Sequence, residues 1–529
     1  MVKRREKSDG CVVPEGRRKA IPTDASQGGK AATASEQARQ LEMNLGTADS
    51  PKGDDARSGA GRPAAERRAV PKPRGRNRGV PPTIAITMEE VANEQTLREA
   101  FRQVKVNDGA PGPDGQSVEQ MARHLIHIIP ALSRALLEGT YRAGEIRRVW
   151  IPKAVGGQRG LGIPNVIDRI VQQAVLMVLS PHYEPTFHPS SHGFRPGKSC
   201  QTAIADAKNH LEEGYEWVVD IDLEKFFDHV HHDRLLARLG QKVSDHRLLR
   251  LIRQMLKAKV VLPDGVVVST EEGTPQGGPL SPLLSNIVLD ELDWELTERG
   301  HRFVRYADDC NIYVRSERAG KRVMASIERF INKRLRLKVN AAKSAVARPE
   351  ERHFVGFRLR REPVDGSVEV LLSKRSRDRI YEKIVQLTPR TWGQKVSLCI
   401  RGLNAYLTGW IGFFGTCTTS ETRTLQAVDA HIRRRLRSLL LRQWKRRRTI
   451  VKRLIHLGVR AKTAWINVYR GRRLRWALSH SPAVDRGLRN AYFAERGLVS
   501  VVAAWNARHQ SLAIAPLQLT LQWDNCGRP

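Results

Sequence analysis

From about Met88 onward the chain switches repeatedly between two hydrophobic periods. In MEEVANEQTLREAFRQV (88–104) apolar residues recur every three or four positions, which predicts a helix. DRIVQQAVLMVLSPHYE (168–184) predicts another. RRVWIPK (147–153), EWVVDIDL (216–223), VVLPDGVVV (260–268) and FVRYADDCNIYV (303–314) have the short β-branched and aromatic runs of strands. The Gly and Pro residues of NDGAPGPDG (107–115) demand tight loops. Strands alternating with helices in this way predict a mixed α+β core. After about residue 375 the pattern becomes that of Arg-rich helices. In HIRRRLRSLLLRQWKRRR (431–448) Ile432, Leu436, Leu439, Leu440 and Trp444 form an apolar stripe, with the arginines expected to face outward. Residues 1–85 show neither period. They are rich in Gly, Ala, Ser, Pro, Arg and Lys, a composition that cannot bury enough apolar surface to offset chain entropy, so a disordered tail is expected.

Charge changes this picture from a generic fold to a polyanion-binding one. The 529 residues hold 90 Lys+Arg against 55 Asp+Glu, a formal net charge of +35. Neutralising phosphates with such an excess releases condensed counterions, so nucleic acid is the leading partner. A membrane is the weaker alternative, because nothing approaches the ~20 consecutive apolar residues of a spanning helix. Residues 431–448 hold nine Lys/Arg and no acid, more than solubility requires. Arg433, Arg434, Arg437, Lys445, Arg446 and Arg447 are therefore expected to meet a phosphate backbone. The basic clusters of 62–79 have either that role or none. The six cysteines (11, 200, 310, 399, 417 and 526) are scattered without C-x-x-C spacing, which argues against a zinc ribbon or a disulfide scaffold. A cytoplasmic, reducing compartment fits best. The N-terminus has basic residues but no following apolar segment, so no secretory signal is expected.

Against this basic background the acids stand out. Asp308 and Asp309 sit side by side between two strand-like runs, and VVDIDLEKFFD (218–228) sets Asp220 and Asp222 on one side of a strand by two-residue alternation. Acidic turns are common, so either group alone is weak evidence. Together they would repel unless cations sat between them. Mg²⁺, with Mn²⁺ as a substitute, is the natural hard ion for such oxygen donors. Two ions ~3.5–4 Å apart can activate a 3′-hydroxyl and stabilise departing pyrophosphate.

NDGAPGPDG, IPKAVGGQRGLGIPNVIDRIVQQAV, HGFRPGKSC, VVDIDLEKFFDHV, GTPQGGPLSPLLSNIVLD, RYADD, LKVNAAKS, HFVGF and LNAYLTGWIGFF occur in the order found in bacterial group II intron-encoded reverse transcriptases with maturase function. Over about residues 95–505 the chain resembles that family. The resemblance implies a right-hand polymerase: fingers at 86–205, a palm with an antiparallel sheet at 206–365, a helical thumb and maturase domain at 366–470, and a C-terminal maturase extension at 471–529. It implies Asp222, Asp308 and Asp309 as catalytic metal ligands, with Asp220 structural. Phe227 would lie beneath the nucleotide sugar and favour dNTPs. Lys153 and Arg159 would clamp the triphosphate, Gln276 and Gly277 would pack against the nascent pair, and Lys343 would reach toward the site. Arg195 and Lys198 would touch template backbone. Gly160 replaces the family's usual Pro after the Arg, which is expected to loosen that hairpin. Tyr406, Trp410, Phe413 and Phe414 are expected in a core.

The activity so implied is RNA-directed DNA synthesis from a primer, joined to binding of group II intron RNA that promotes splicing and mobility. Its partners would be intron RNA, RNA template with DNA primer, dNTPs and target DNA. A metal-dependent HNH endonuclease is not expected, since the tail has a single cysteine, Cys526, and no His-Asn-His pattern. Two alternatives stand beside this reading: a splicing maturase without polymerase activity, and a reverse transcriptase repurposed in a retron or a defence system.

Overall fold

The structure is a computed structural model that describes residues 86–152, 157–391, 393–470 and 474–510. The expected disordered tail (1–85), Lys153 and the tail beyond 510 lie outside the described residues.

The chain opens with α1 (Met88–Ala92), α2 (Glu94–Asn107) and α3 (Val118–Leu137). The single helix expected over 88–104 is two helices, because Asn93 leaves helical geometry at ψ 129° and its side chain accepts from the amides of Gln95 and Thr96. A short polar side chain that satisfies orphan amides restarts a helix better than it continues one. Next comes a hairpin of β1 (Ile146–Pro152) and β2 (Gln158–Pro164), then α4 (Val166–Tyr183), whose inner face is buried almost end to end. The β1–β2 register runs from Ile146↔Pro164 to Pro152↔Gln158 without a break. Gly160 therefore does not loosen the hairpin. The place where its Cβ would point is filled by Arg148, 2.6 Å away, and Trp150, so a larger residue would push these apart.

The central sheet has the order β6-β7-β3-β8, antiparallel throughout. Its strands are β3 (Trp217–Ile221), β6 (Arg302–Tyr306), β7 (Asp309–Val314) and β8 (Ala345–Ala347). Helix α5 (Cys200–Glu212) precedes β3, and the chain between β3 and β6 supplies α6 (His232–Leu239), α7 (His246–Leu256) and α8 (Ser281–Glu298). It also supplies the short strands β4 (Val260–Val261) and β5 (Val267–Val268), which extend the β1–β2 sheet.

Two-residue alternation divides the central sheet between two cores. Val219, Ile221, Phe303, Cys310 and Ile312 pack with α1–α4 and α6–α8. Val218, Val304 and Tyr313 pack on the opposite side with α5, the hairpin β9 (Phe357–Arg361)–β10 (Val368–Leu372) and the C-terminal helices. After α9 (Glu317–Phe330), those helices are α10 (Lys374–Leu387), α11 (Val396–Phe414), α12 (Thr422–Gln443), α13 (Arg447–His456) and α14 (Ala461–Arg470), followed by shorter ones. Tyr406, Trp410, Phe413 and Phe414 join this second core as expected. The Arg-rich run is not one helix. It breaks at Lys445, whose φ of +51° lets the buried Trp444 turn inward before α13 begins.

Candidate active site

Strand β7 begins at Asp309, directly opposite Tyr306, so Ala307 and Asp308 form a two-residue hairpin loop. Ala307 takes φ +56°, a left-handed conformation that costs a non-glycine residue about 1 kcal/mol or more. Two contacts hold it there. Arg305 Nη1 donates to the Ala307 carbonyl at 2.8 Å. Gly193 lies so close that a Cβ on it would stand 2.2 Å from the Ala307 amide nitrogen. Gly193 is in turn fixed by Asn286, whose side chain donates to its carbonyl at 2.9 Å. The HGF stretch thus serves as a brace for the acidic turn.

Alternation puts Asp309 on the face of β7 opposite Cys310, and Asp222 on the same face at the end of neighbouring β3, where Ile221 pairs with Cys310. Asp309 is exposed to solvent, although protein atoms crowd round it. The dense surroundings and then the charges of Asp308, Asp220 and Asp222 push its carboxyl up to about 7, with Lys343 opposing. Asp308 is raised as well, by burial, against the pull of its own backbone amide and of Arg159. Asp222 is strapped in place by residues 339–344: its amide donates to Ser344 Oγ at 3.0 Å and its carbonyl accepts from the Asn340 amide at 2.8 Å. The Lys343 ammonium sits 3.2 and 3.3 Å from its two carboxylate oxygens. Asp220 already has a cation, since Arg352 donates from Nε and Nη2 at 2.8 and 2.6 Å.

Three carboxylates with raised or lysine-held charge at one strand end are oxygen donors of the kind that take a hard divalent ion. Among the described residues no three potential ligands are already gathered around one point, and Lys343 occupies Asp222 instead. The residues fit a metal chemically, and its charge would displace the ammonium.

The finger-like β1–β2 hairpin reaches this site. Arg159 Nε donates to Gln276 Oε1 at 2.7 Å, and the Gly162 amide donates to the Gln276 carbonyl at 2.6 Å. Gly277, expected to pack against the nascent pair, also brings backbone close to backbone. The close approach is made by the protein itself: at φ +123° its Cβ would lie 2.5 Å from the Gly162 carbonyl oxygen. Phe227 is 7% exposed and stands edge-on to the fully buried Phe226 at 5.2 Å.

Two expected nucleic-acid contacts are corrected. Arg195 is buried, donating to Glu184 at 2.7 Å and to the carbonyls of His188 and Ser191 at 2.6 and 2.8 Å. It locks its loop rather than facing a template. Arg437 is likewise buried, donating to the Leu488 carbonyl at 2.9 Å and pairing with Asp485. Lys198 donates to the Pro189 carbonyl at 2.8 Å within its own loop. Of the remaining Arg-rich set, Lys445 and Arg446 are exposed and Arg433, Arg434 and Arg447 half-buried or exposed.

Sequence reasoning missed Arg305, Ser344, Arg352 and Arg375. Arg305 was detectable: on β6 it shares the inward parity of Phe303, and a charge there needs a buried acid. It finds Asp293 of α8 at 2.6 and 2.7 Å, and both side chains are essentially inaccessible. Arg375, at the start of α10, lies close enough for Asp309 to act on its charge. Among the described residues no helix is long and apolar enough to cross a membrane. Cys310, Cys399 and Cys417 are buried and carry no disulfide, and Cys200 is buried as well.

Residues 151–359 match the family described as reverse transcriptase (RNA-dependent DNA polymerase). Residues 377–455 match the group II intron maturase-specific domain. The Escherichia coli protein YkfC is 40% identical over 215 residues, 40% of this chain and 56% of that one. The group II intron-encoded protein LtrA of Lactococcus lactis is 41% identical over 166 residues, 31% of this chain and 27% of that one. The putative COX1/OXI3 intron 2 protein of Saccharomyces cerevisiae is 37% identical over 168 residues, 32% and 20% of the two chains. The chain thus spans little more than half of one curated relative and about a quarter or less of the other two. A reverse-transcriptase domain carrying the acidic hairpin, followed directly by the maturase-specific domain, makes this chain a member of the group II intron-encoded reverse transcriptase and maturase family.

Proposed function

We propose that the protein is an RNA-directed DNA polymerase that extends a primer on an RNA template and, through its C-terminal helices, binds group II intron RNA to promote splicing and mobility. The observation that supports this most directly is that Asp222, Asp308 and Asp309 lie at neighbouring strand ends, near enough for their charges to act on one another, inside a chain of net charge +35. Residues 86–205 would act as fingers, 206–365 as palm, 366–470 as thumb and maturase domain, and 471–529 as its extension.

Asp222, Asp308 and Asp309 would hold two Mg²⁺ ions, with Mn²⁺ able to substitute. When bound, such ions supply the charge that activates a primer 3′-hydroxyl and stabilises pyrophosphate. The chain's own residues would do the rest. Arg159, held by Gln276 and electrostatically near Asp308, is placed to bind the triphosphate and offset its charge as the bond breaks. Lys153 would join it. Gln276 and Gly277 would keep the hairpin docked against the nascent pair, and Phe227 would form the apolar floor that excludes a ribose 2′-hydroxyl. Lys343, released from Asp222, would turn to the nucleotide phosphates. Lys198 and the exposed Lys445 and Arg446, with Arg433, Arg434 and Arg447, would contact RNA backbone. Target DNA would be the acceptor in mobility, and the buried, unbridged Cys310, Cys399 and Cys417 support a reducing, cytoplasmic setting.

The test is Mg²⁺-dependent dNTP incorporation on an RNA template with a DNA primer. Asp308→Ala is expected to abolish it while leaving intron RNA affinity intact. Full extension by that variant would remove the metal-ligand assignment.

A further inference from the structure

Away from the acidic site, the maturase helices enclose a cleft of about 380 Å³ between α12, the segment after α10, and the chain around residue 475. Arg390, Arg435, Arg442 and Arg475 line it together with His431 and Trp476, and no acid does among the described lining residues. Arg435 is anchored to Thr388 Oγ1 at 2.9 Å, and Arg475 donates to the Lys445 carbonyl. His431 Nε2 is buried without a hydrogen-bond partner among the described residues. The arginines are crowded without neutralisation: burial and then Arg390 and Arg442 lower Arg435, while burial and then Arg447 and Arg442 lower Arg475. Four guanidiniums gathered without an acid leave charge and donors that an anion such as a phosphate would complete.

The cleft is also aromatic. The Trp476 indole is 36% exposed, with Arg434 4.3 Å from its ring centroid. A volume near 380 Å³ lies at the small end of ligand sites, which run ~300–1,000 Å³, so it has room for one base and its phosphate but not for a base pair. Arg447 leads outward from it to a second aromatic surface, lying 5.7 Å from the Tyr469 centroid. There Trp465 and Tyr469 stack at 4.9 Å with 47% and 40% exposure.

We propose that this cleft seats a single unpaired RNA nucleotide, its base against Trp476 and its phosphate on Arg390, Arg442 and Arg475, with the neighbouring base on Trp465 and Tyr469. It rests on the RNA-binding reading of the maturase helices and makes it specific: a flipped or bulged residue is gripped there, not duplex backbone. RNA is favoured over a free mononucleotide because the aromatic surface continues past the cleft, which a single nucleotide would not use.

The experiment uses the full chain with its polymerase groove saturated by an RNA–DNA primer-template, so that a second RNA reports on other sites. A fluorescent 12-nucleotide single-stranded RNA, the same RNA as a duplex, and AMP are the probes, with a 4-thiouridine version for photo-cross-linking. Trp476→Ala is expected to weaken the single strand about 5- to 150-fold, the range for losing one base–aromatic stack, and to leave the duplex within about twofold. Trp476→Phe should restore most of the affinity. Arg390→Gln with Arg442→Gln should weaken the single strand comparably, and the cross-link should fall on the peptide containing Trp476. Primer extension should be unchanged in all three. Unaltered single-strand affinity, equal losses for strand and duplex, or cross-links only elsewhere would overturn the proposal. So would AMP displacing the 12-mer from the cleft at equal concentration, since that assigns it to free nucleotides. A wild-type chain that neither binds the primer-template nor any RNA would instead sink the functional reading beneath it.

Discussion

Arg305 makes the sharpest quantitative test of how the acidic hairpin is built. All three of its nitrogens are engaged: Nε and Nη2 on Asp293, Nη1 on Asn286 and the Ala307 carbonyl, and Nη2 also on Ser191 Oγ, at 2.6–3.0 Å. Replacing it with Met keeps the length and removes every donor. Asp293 would then be an uncompensated charge in a site with no solvent access, which costs about 3–5 kcal/mol. The adjacent Asp290, already raised to about 7 by burial and by Asp293, adds to the repulsion. Arg305→Met should therefore lower the unfolding free energy measured in urea by that amount. Arg305→Met with Asp293→Leu removes both charges and should recover most of the loss, since apolar replacements of buried pairs are often neutral. Activity should not recover with stability. In both variants the Ala307 carbonyl is untethered and the turn bearing Asp308 is free to relax from φ +56°. A misplacement near 1 Å costs on the order of 10² in rate, so kcat for primer extension should stay down by about 10- to 100-fold in the double variant. If the double variant regained full kcat, or the single variant unfolded within about 0.5 kcal/mol of wild type, the account of Arg305 as the buttress of the turn would be refuted.

Three further outcomes are expected. Lys343→Ala should lower the Mg²⁺ concentration for half-maximal extension, because the ammonium now 3.2 Å from Asp222 competes with the ion; a higher requirement would contradict this. Gly277→Ala should raise KM for dNTPs more than it lowers kcat, since a Cβ 2.5 Å from the Gly162 carbonyl pries the β1–β2 hairpin from its dock, and an unchanged KM would show that the dock is idle. Asp290→Asn should stabilise the fold at pH 8 and not at pH 4. Burial raises this carboxyl to about 7, so the folded wild type holds an extra proton and loses stability as pH climbs from about 4 to 7, by up to about 4 kcal/mol, each tenfold difference in proton affinity being worth about 1.4 kcal/mol. His188, lowered to about 4 by burial, has the opposite slope, losing stability as pH falls from about 6.5 to 4. The two slopes offset each other in the wild type between about pH 4 and 6.5, so thermal melting of the Asn variant should show the acid-side decline that the wild type masks, and an Asn variant with the wild-type pH profile would refute the assignment.

The parts of this molecule that were legible in its sequence are those where one periodicity dominates. Strands β3, β6 and β7 follow from alternation, and alternation alone puts Asp220, Asp222 and Asp309 on one face of the central sheet. What could not be read is which polar residues turn inward, because a run of like residues conceals its own phase. In the Arg-rich stretch the buried stripe is wider than the Ile432–Leu436–Leu440 row: Leu441 is fully buried as well, and Arg437 stands one turn before it on that same flank, so it folds inward to Asp485. The break at Lys445 was hidden for a related reason, since nine basic residues carry no turn signal and only the burial of Trp444 forces the bend. Arg305 sits where a charge opposes the alternation of its strand, Arg195 lies in a Gly/Pro loop, and each is matched by an acid from another element of the fold. A basic residue that breaks an apolar phase in such a protein is thus better read as half of a buried pair than as a phosphate contact. By the same argument the arginines expected to meet RNA are those whose surroundings offer no acid, a condition that Arg390 and Arg442 satisfy in their cleft and Arg437, paired with Asp485, does not.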